Sequence, residues 1–254
     1  MIARSLRTRW LLVGGVALLA TSAAAAAPLA LRQAESFRIT HVEVRGTRFM
    51  APQSVLTASG ITPSATVFDD FAPWRARLLS HPLIAHASIE RRLPGTIVIR
   101  VQETEPVAYA RTPELVPIDA RARALPVDPT AEQLDVPVLA VASRAATNGR
   151  FADRATIELA AAIGSIRAHE PMLAAWISEA APARGGGMRL LLRGPTNAVA
   201  LLPLPLTAQR LRELRLALAD LAARGELQNT TRVDARYRDQ IVVTHGRGAA
   251  MEQS

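Results

Sequence analysis

Residues 10–31 (WLLVGGVALLATSAAAAAPLAL) carry no charged side chain, and Arg4, Arg7 and Arg9 precede them with no acid nearby. As a helix this stretch would run about 33 Å, enough to cross the hydrocarbon core of a bilayer. The leading arginines favour a cytoplasmic start, which exports everything that follows. Two readings compete. One is a retained transmembrane anchor. The other is a cleaved signal peptide, with an apolar core over residues 10–20 and small residues at 21–27 that offer several A-x-A sites. Eight alanines in the stretch add length but little insertion energy. Both readings place the remaining chain outside the cytoplasm.

Composition narrows the function classes for that exported part. The net charge is +8, carried entirely by arginine. From residue 31 onward the arginines are scattered and nearly matched by Asp and Glu, and aromatic residues are only 4% of the chain. A nucleic-acid reader concentrates its charge and interleaves aromatics, so no nucleic-acid partner is expected. The absence of cysteine excludes a disulfide scaffold, a thiolate metal site and a cysteine nucleophile.

Residues 37–105 read as strand, helix, helix, strand, strand. FRITHVEVR at 37–45 alternates, with Thr40, Val42 and Val44 on one face, and Gly46 ends it. Pro52 stands at a first helical position before residues 53–59, which Gly60 stops. Pro73 opens a second helix through Trp74, Leu78 and Leu79, and His81-Pro82 closes it, because the residue before proline avoids helical torsions. Residues 85–92 and 96–103 are strands around Leu93-Pro94-Gly95. This order resembles a POTRA domain, and several residues resemble the POTRA domain of the FtsQ/DivIB cell-division family. They are the strand end Val42, Val44 and Gly46; His81-Pro82; Ala87; the turn Arg91-Arg92-Leu93-Pro94; and the exit Val101, Glu103, Glu105, Pro106, Val107, Ala108.

Residues 106–246 read as a second, β-rich domain. Strands are expected at 107–111, 115–119, 138–141, 176–180, 188–193, 198–202, 231–237 and 241–244. Two amphipathic helices are expected. The first spans 151–168, with Asp153 as N-cap and Ile157, Ala160, Ile163 and Ile166 facing the core. The second spans 207–224, with Leu211, Leu214, Leu218 and Leu221 inward. The closing VDARYRDQIVV at 233–243 is again similar to the FtsQ family, as is ELVPIDARARAL at 114–125, where Ala122 or Arg123 replaces the family's glycine. The expected fold class is therefore α+β: a cytoplasmic tail at 1–9, a single N-terminal transmembrane helix at 10–31, a βααββ POTRA domain at 37–105, a mixed β-rich domain with two helices at 106–246, and a flexible tail at 247–254. The short cytoplasmic tail leaves little room for a cytoplasmic partner.

No catalytic motif is present: no G-x-S-x-G, no P-loop, no G-x-G-x-x-G and no H-E-x-x-H. His169-Glu170 begins like the last of these but runs into Pro171. Asp69-Asp70 and the Glu103/Glu105 pair fit solvated positions better than general acid–base work. No enzyme activity, cofactor, metal or small-molecule substrate is expected. The rival readings are a POTRA-containing exported protein of outer-membrane assembly or secretion, and an exported hydrolase. What the resemblance implies is a divisome scaffold in the inner membrane, single-pass type II, with the bulk of the chain periplasmic at the division septum. It also implies that the last strands of the β domain dock FtsB, which travels with FtsL, and that this helps control septal cell-wall synthesis. Carried onto this sequence, the partner-binding residues are Arg236, Tyr237, Ile241, Val242, Val243 and Thr244. Tyr237 suits an interface anchor; the competing reading packs it against the 207–224 helix.

Overall fold

The computed structural model describes residues 37–129, 134–143 and 146–246. The expected membrane segment at 10–31 and the tail at 247–254 lie outside the described residues. Among the described residues no helix is long and apolar enough to cross a membrane. The chain divides into two compact units between Glu103 and Thr104.

The first unit runs β1 (His41–Arg45), α1 (Pro52–Ser59), α2 (Ala72–Ser80), β2 (Ile84–Arg92) and β3 (Thr96–Glu103). Proline sits in the first turn of each helix, where its missing N–H removes no intrahelical bond. Gly60 ends α1 in the left-handed region, and His81 ends α2 in an extended conformation before Pro82. The strands form a sheet in the order β1-β3-β2. β1 lies parallel to β3, with His41 opposite Thr96 and Arg45 opposite Arg100. Val55 of α1, Leu78 of α2, and Ile97 and Ile99 of β3 are fully buried and form the core with Trp74 and Val67.

β1 begins four residues later than the alternation suggested. Residues 37–40 divide their backbone bonds between two neighbours: the Val67 amide donates to the Phe37 carbonyl at 3.0 Å, the Ile39 amide to Ala65 at 2.9 Å, and the Thr40 amide to Gly95 at 2.8 Å. An extended segment with two partners makes no single ladder. At the other end of β1, Gly46 adopts φ +85°, and a Cβ there would overlap the carbonyl oxygen of Val101. Beyond it, the Glu103 carboxylate accepts the amides of Phe49 at 2.6 Å and Met50 at 3.0 Å. Glu103 thus holds backbone instead of lying free in solvent. Asp69 likewise accepts the amide and hydroxyl of Thr66, and Asp70 the amide of Ala72.

The second unit runs β4 (Ala108–Arg111), β5 (Leu115–Ile118), β6 (Val138–Ala142), α3 (Arg154–His169), α4 (Pro171–Ala174), β7 (Ile177–Pro182), β8 (Met188–Leu192), β9 (Val199–Leu202), α5 (Ala208–Ala223), β10 (Thr230–Asp234) and β11 (Val242–His245). Its eight strands make one mixed sheet in the order β11-β10-β9-β8-β7-β6-β4-β5. Asp153 caps α3 by accepting the Thr156 amide at 3.1 Å, and Thr207 caps α5 by accepting the Arg210 amide at 3.2 Å. Leu159, Ile163 and Ile166 of α3 and Leu211, Leu214, Leu218 and Leu221 of α5 are buried in a core with Leu139, Leu190, Leu192 and Leu202.

Two details depart from the sequence reading, and one alternative it left open is resolved. Ile157 faces solvent at 40% exposure, and Leu159 takes the inward position. Pro171 does not only stop α3; it starts α4, a turn not foreseen. The missing glycine of the 114–125 step falls at Ala122, which adopts φ 55° while fully buried. Its neighbours hold it there: Asp119 Oδ1 accepts the amides of Arg121 and Arg123, and Asp119 Oδ2 accepts Arg123 Nε at 2.7 Å.

Replacing Gly46 with alanine forces a positive φ on a Cβ that has no space, and the strain is expected to cost about 2 kcal/mol or more. Thermal unfolding followed by circular dichroism should show the first unit melting at lower temperature in Gly46→Ala; an unchanged midpoint contradicts the close packing of Gly46 on Val101.

Candidate partner-binding edge

An eight-stranded open sheet has two ends, and these differ in chemistry. At one end β5 contains Pro117, which has no amide to offer and so blunts that edge. At the other end β11 has the sequence VVTH, with no proline, lysine or acid. It pairs antiparallel with β10, with Val243 opposite Val233 and Val242 opposite Asp234. Among the described residues no strand pairs with its outer side. Unpaired amides and carbonyls of this kind are a template for another extended chain.

β10 was expected to run through Tyr237 and stops at Asp234 instead. The cause is the Asp234 side chain. Its Oδ1 accepts the amide of Arg236 at 3.1 Å, bending the chain two residues on. The same carboxylate takes a two-pronged contact from the Arg236 guanidinium, Nε to Oδ1 at 2.9 Å and Nη2 to Oδ2 at 2.7 Å. Arg236 Nη1 also donates to the carbonyls of Arg184 at 2.9 Å and Gly186 at 3.4 Å in the β7–β8 turn. Asp234 is 6% exposed, so the guanidinium neutralises a carboxylate that would otherwise be buried alone. The hydrogen bond from Arg236 holds the Asp234 carboxyl below the usual aspartate range, against the opposing pull of burial.

The sequence reading brought together six residues, and the structure places them in three settings. Arg236 is half-buried and occupied by Asp234 and the turn carbonyls. Ile241 and Val243 lean against the core of the second unit, Ile241 just before the strand proper. Tyr237 is 50% exposed and is not buried against α5; Val242 at 40% and Thr244 face outward with it.

Other side chains that hold this edge were not foreseen. Arg210 of α5 donates Nη2 to the Arg238 carbonyl at 2.7 Å and pairs with Glu213 at 2.6 Å, fixing the loop between β10 and β11. The Thr231 hydroxyl donates to the Thr244 carbonyl at 3.1 Å, and the Gly246 amide to Asn229 at 2.9 Å. The D-x-R spacing of Asp234 and Arg236 was visible in the sequence. The contacts to Arg184, Gly186 and Arg210 join distant segments and had no local signal.

Among the described residues no three His, Asp or Glu side chains gather as a metal site. Glu170, from the His169-Glu170-Pro171 step, pairs instead with Arg215 at 3.1 Å.

Comparison with known proteins bears on part of the chain, the first unit above all. Residues 37–104 match the model of the FtsQ-type POTRA domain. The chain is 29% identical over 111 residues to a cell division protein FtsQ of Syntrophotalea carbinolica, covering 43% of this chain and 39% of that protein. It is 35% identical over 72 residues to a cell division protein DivIB of Geobacillus kaustophilus, covering 28% of each chain. The chain thus matches well under half the length of either relative. Both similarities point to FtsQ/DivIB-type cell division proteins, and the mixed α+β architecture has the POTRA domain followed by a β-rich domain.

The Asp234–Arg236 contact carries a pH signature. Because the folded-state pKa of Asp234 is depressed, its contribution is complete above the unfolded value, near 4, and is lost as pH falls through the lower folded value. Asp234→Asn should destabilise the second unit by about 2 kcal/mol near neutral pH. The difference between wild type and variant should shrink as the pH is lowered from about 5 to about 2. Denaturant unfolding at a series of pH values checks this; a difference independent of pH contradicts the assignment.

Proposed function

We propose that this chain is a non-catalytic divisome scaffold of the FtsQ/DivIB type, anchored in the inner membrane through residues 10–31 as a single-pass type II protein. Its POTRA and β-rich units stand in the periplasm at the septum, where β11 receives FtsB, which arrives with FtsL, and so helps control septal wall synthesis. The observation that carries this reading is the terminal strand β11. It ends the sheet with its outer side unpaired among the described residues and presents Val242, Thr244 and the nearby Tyr237. The FtsQ-type POTRA match and the two division relatives supply the biological setting.

Strand addition assigns distinct tasks to the six residues. Backbone groups of 241–244 supply the ladder, Val242 and Thr244 meet the partner's side chains on one face, and Ile241 and Val243 keep the strand seated on its own core. Tyr237 offers a broad apolar face with a hydroxyl at its tip, the chemistry of an interface anchor. Arg236 acts mainly by positioning, since its donors already hold Asp234 and the β7–β8 turn.

Co-purification of the full chain with the FtsB–FtsL pair of its host tests the docking site. Tyr237→Ala is expected to weaken binding about thirtyfold, the effect of losing an interface anchor. Val242→Asp should weaken it as well, with the circular dichroism spectrum unchanged. Wild-type binding unaltered in both variants moves the interface elsewhere. Depletion of the protein is expected to give unseparated filaments; normal septation argues against a division role.

A further inference from the structure

Parallel pairing of β1 with β3 has a geometric consequence at the start of the first unit. His41 lies opposite Thr96, so the chain enters the unit beside the residues that precede β3, the hairpin tip Leu93-Pro94-Gly95. The contact is direct: the amides of Thr40 and His41 both donate to the Gly95 carbonyl, at 2.8 and 3.2 Å. A Cβ on Gly95 would stand 2.6 Å from the carbonyl oxygen of Arg38. Only five residues separate Leu31 from Phe37, and the six steps between them span at most about 21 Å of extended chain. A segment inserted at 10–31 therefore keeps the entry side of the unit, where Phe37 meets Val67 and Phe68 and Thr40 meets Gly95, within reach of the bilayer.

The tip's chemistry suits that position. Leu93 is 62% exposed, and two arginines stand directly before it. Arg91 is exposed and lies over the Phe71 ring at 4.8 Å. Arg92, 53% exposed, reaches Glu43 at 3.5 Å, while Glu43 is engaged more closely by Arg45, whose Nε donates to it at 2.7 Å. The nearby acids Asp69 and Asp70 are occupied with backbone amides of their own loop. Two guanidinium groups directly before one exposed leucine match a lipid surface, where arginine meets phosphate and an apolar side chain enters the headgroup boundary.

We propose that the β2–β3 hairpin tip, Arg91, Arg92 and Leu93, rests on the anionic phospholipid surface of the membrane that holds residues 10–31. This contact rests on the anchor reading. It fixes the tilt of the first unit against the bilayer, so that the unit does not swing on a free tether.

The chain contains no cysteine, so Leu93→Cys gives a unique site for a fluorophore in the full chain. Reconstituted in vesicles containing phosphatidylglycerol, a probe at position 93 should be quenched by spin-labelled lipid. A probe introduced by Leu79→Cys, near the end of α2 and away from the tip, should not. Combining Leu93→Cys with Arg91→Ser and Arg92→Ser is expected to lower the lipid-apposed population about tenfold, as should pure phosphatidylcholine vesicles. Absence of quenching at 93 in a chain that resists alkaline carbonate overturns the proposal and leaves the anchor standing. Quenching undiminished without the arginines or without anionic lipid overturns the recognition of phosphate. Release of the chain by carbonate removes the anchor, and this contact with it.

Discussion

The exposed edge of the second unit depends on one ion pair. Asp234 is nearly buried at the end of β10, and a buried carboxylate without a counter-charge is costly. Arg236 supplies that charge from two residues away, and the bend this requires ends the strand. The remaining guanidinium nitrogen ties the bend to the carbonyls of Arg184 and Gly186. Arg210 then fixes the following loop through the Arg238 carbonyl, and the chain returns as β11 with Val243 opposite the buried Val233. Without the pair the bend after Asp234 loses its side-chain bonds, while Thr231 and Asn229 still hold β11 at Thr244 and Gly246.

That arrangement also separates side chains left facing solvent from side chains that support the edge. An arginine whose donors already hold a carboxylate and two carbonyls has little left for an incoming chain. Tyr237, Val242 and Thr244 keep their side chains outward. The sheet makes the same distinction at its two ends. Pro117 removes an amide from β5, whereas β11 keeps all of its own. Polar groups along an open edge in water are solvated and tolerated, but they lower the barrier to pairing with another extended segment. The sheet is thus protected at one end and receptive at the other.

The first unit was legible in the sequence almost residue by residue because prolines and glycines punctuate it: Pro52, Gly60, Pro73 and Pro82 bound the helices, and Pro94-Gly95 the hairpin. At the start of β1, partners remote in sequence decided the outcome. Residues 37–40 alternate like a strand but share their bonds between Ala65, Val67 and Gly95. Ile157 fits a helical stripe, yet Leu159 fills the core. Ala122 holds a left-handed conformation in a non-glycine residue because Asp119 grips the amides on both sides of it. At the edge, the aromatic residue and the D-x-R pair could be read locally. That the pair is an internal tie follows only from the position of the β7–β8 turn.

Parallel pairing in the first unit divides that small domain into two poles with different demands. At the entry pole, β1 begins against Gly95, and the hairpin tip is placed there whatever its side chains are. The backbone fixes the location, while Arg91 lies over Phe71, Arg92 reaches Glu43 and Leu93 stands exposed. At the exit pole the constraint is reversed. Gly46 must pass against the Val101 carbonyl, and Glu103 must accept the amides of Phe49 and Met50, so that the residues themselves are dictated by packing. An exposed leucine is unremarkable on an arbitrary surface. At the entry pole it has a specific meaning under the anchor proposal, because the chain enters the unit on that side and meets the hairpin at Gly95.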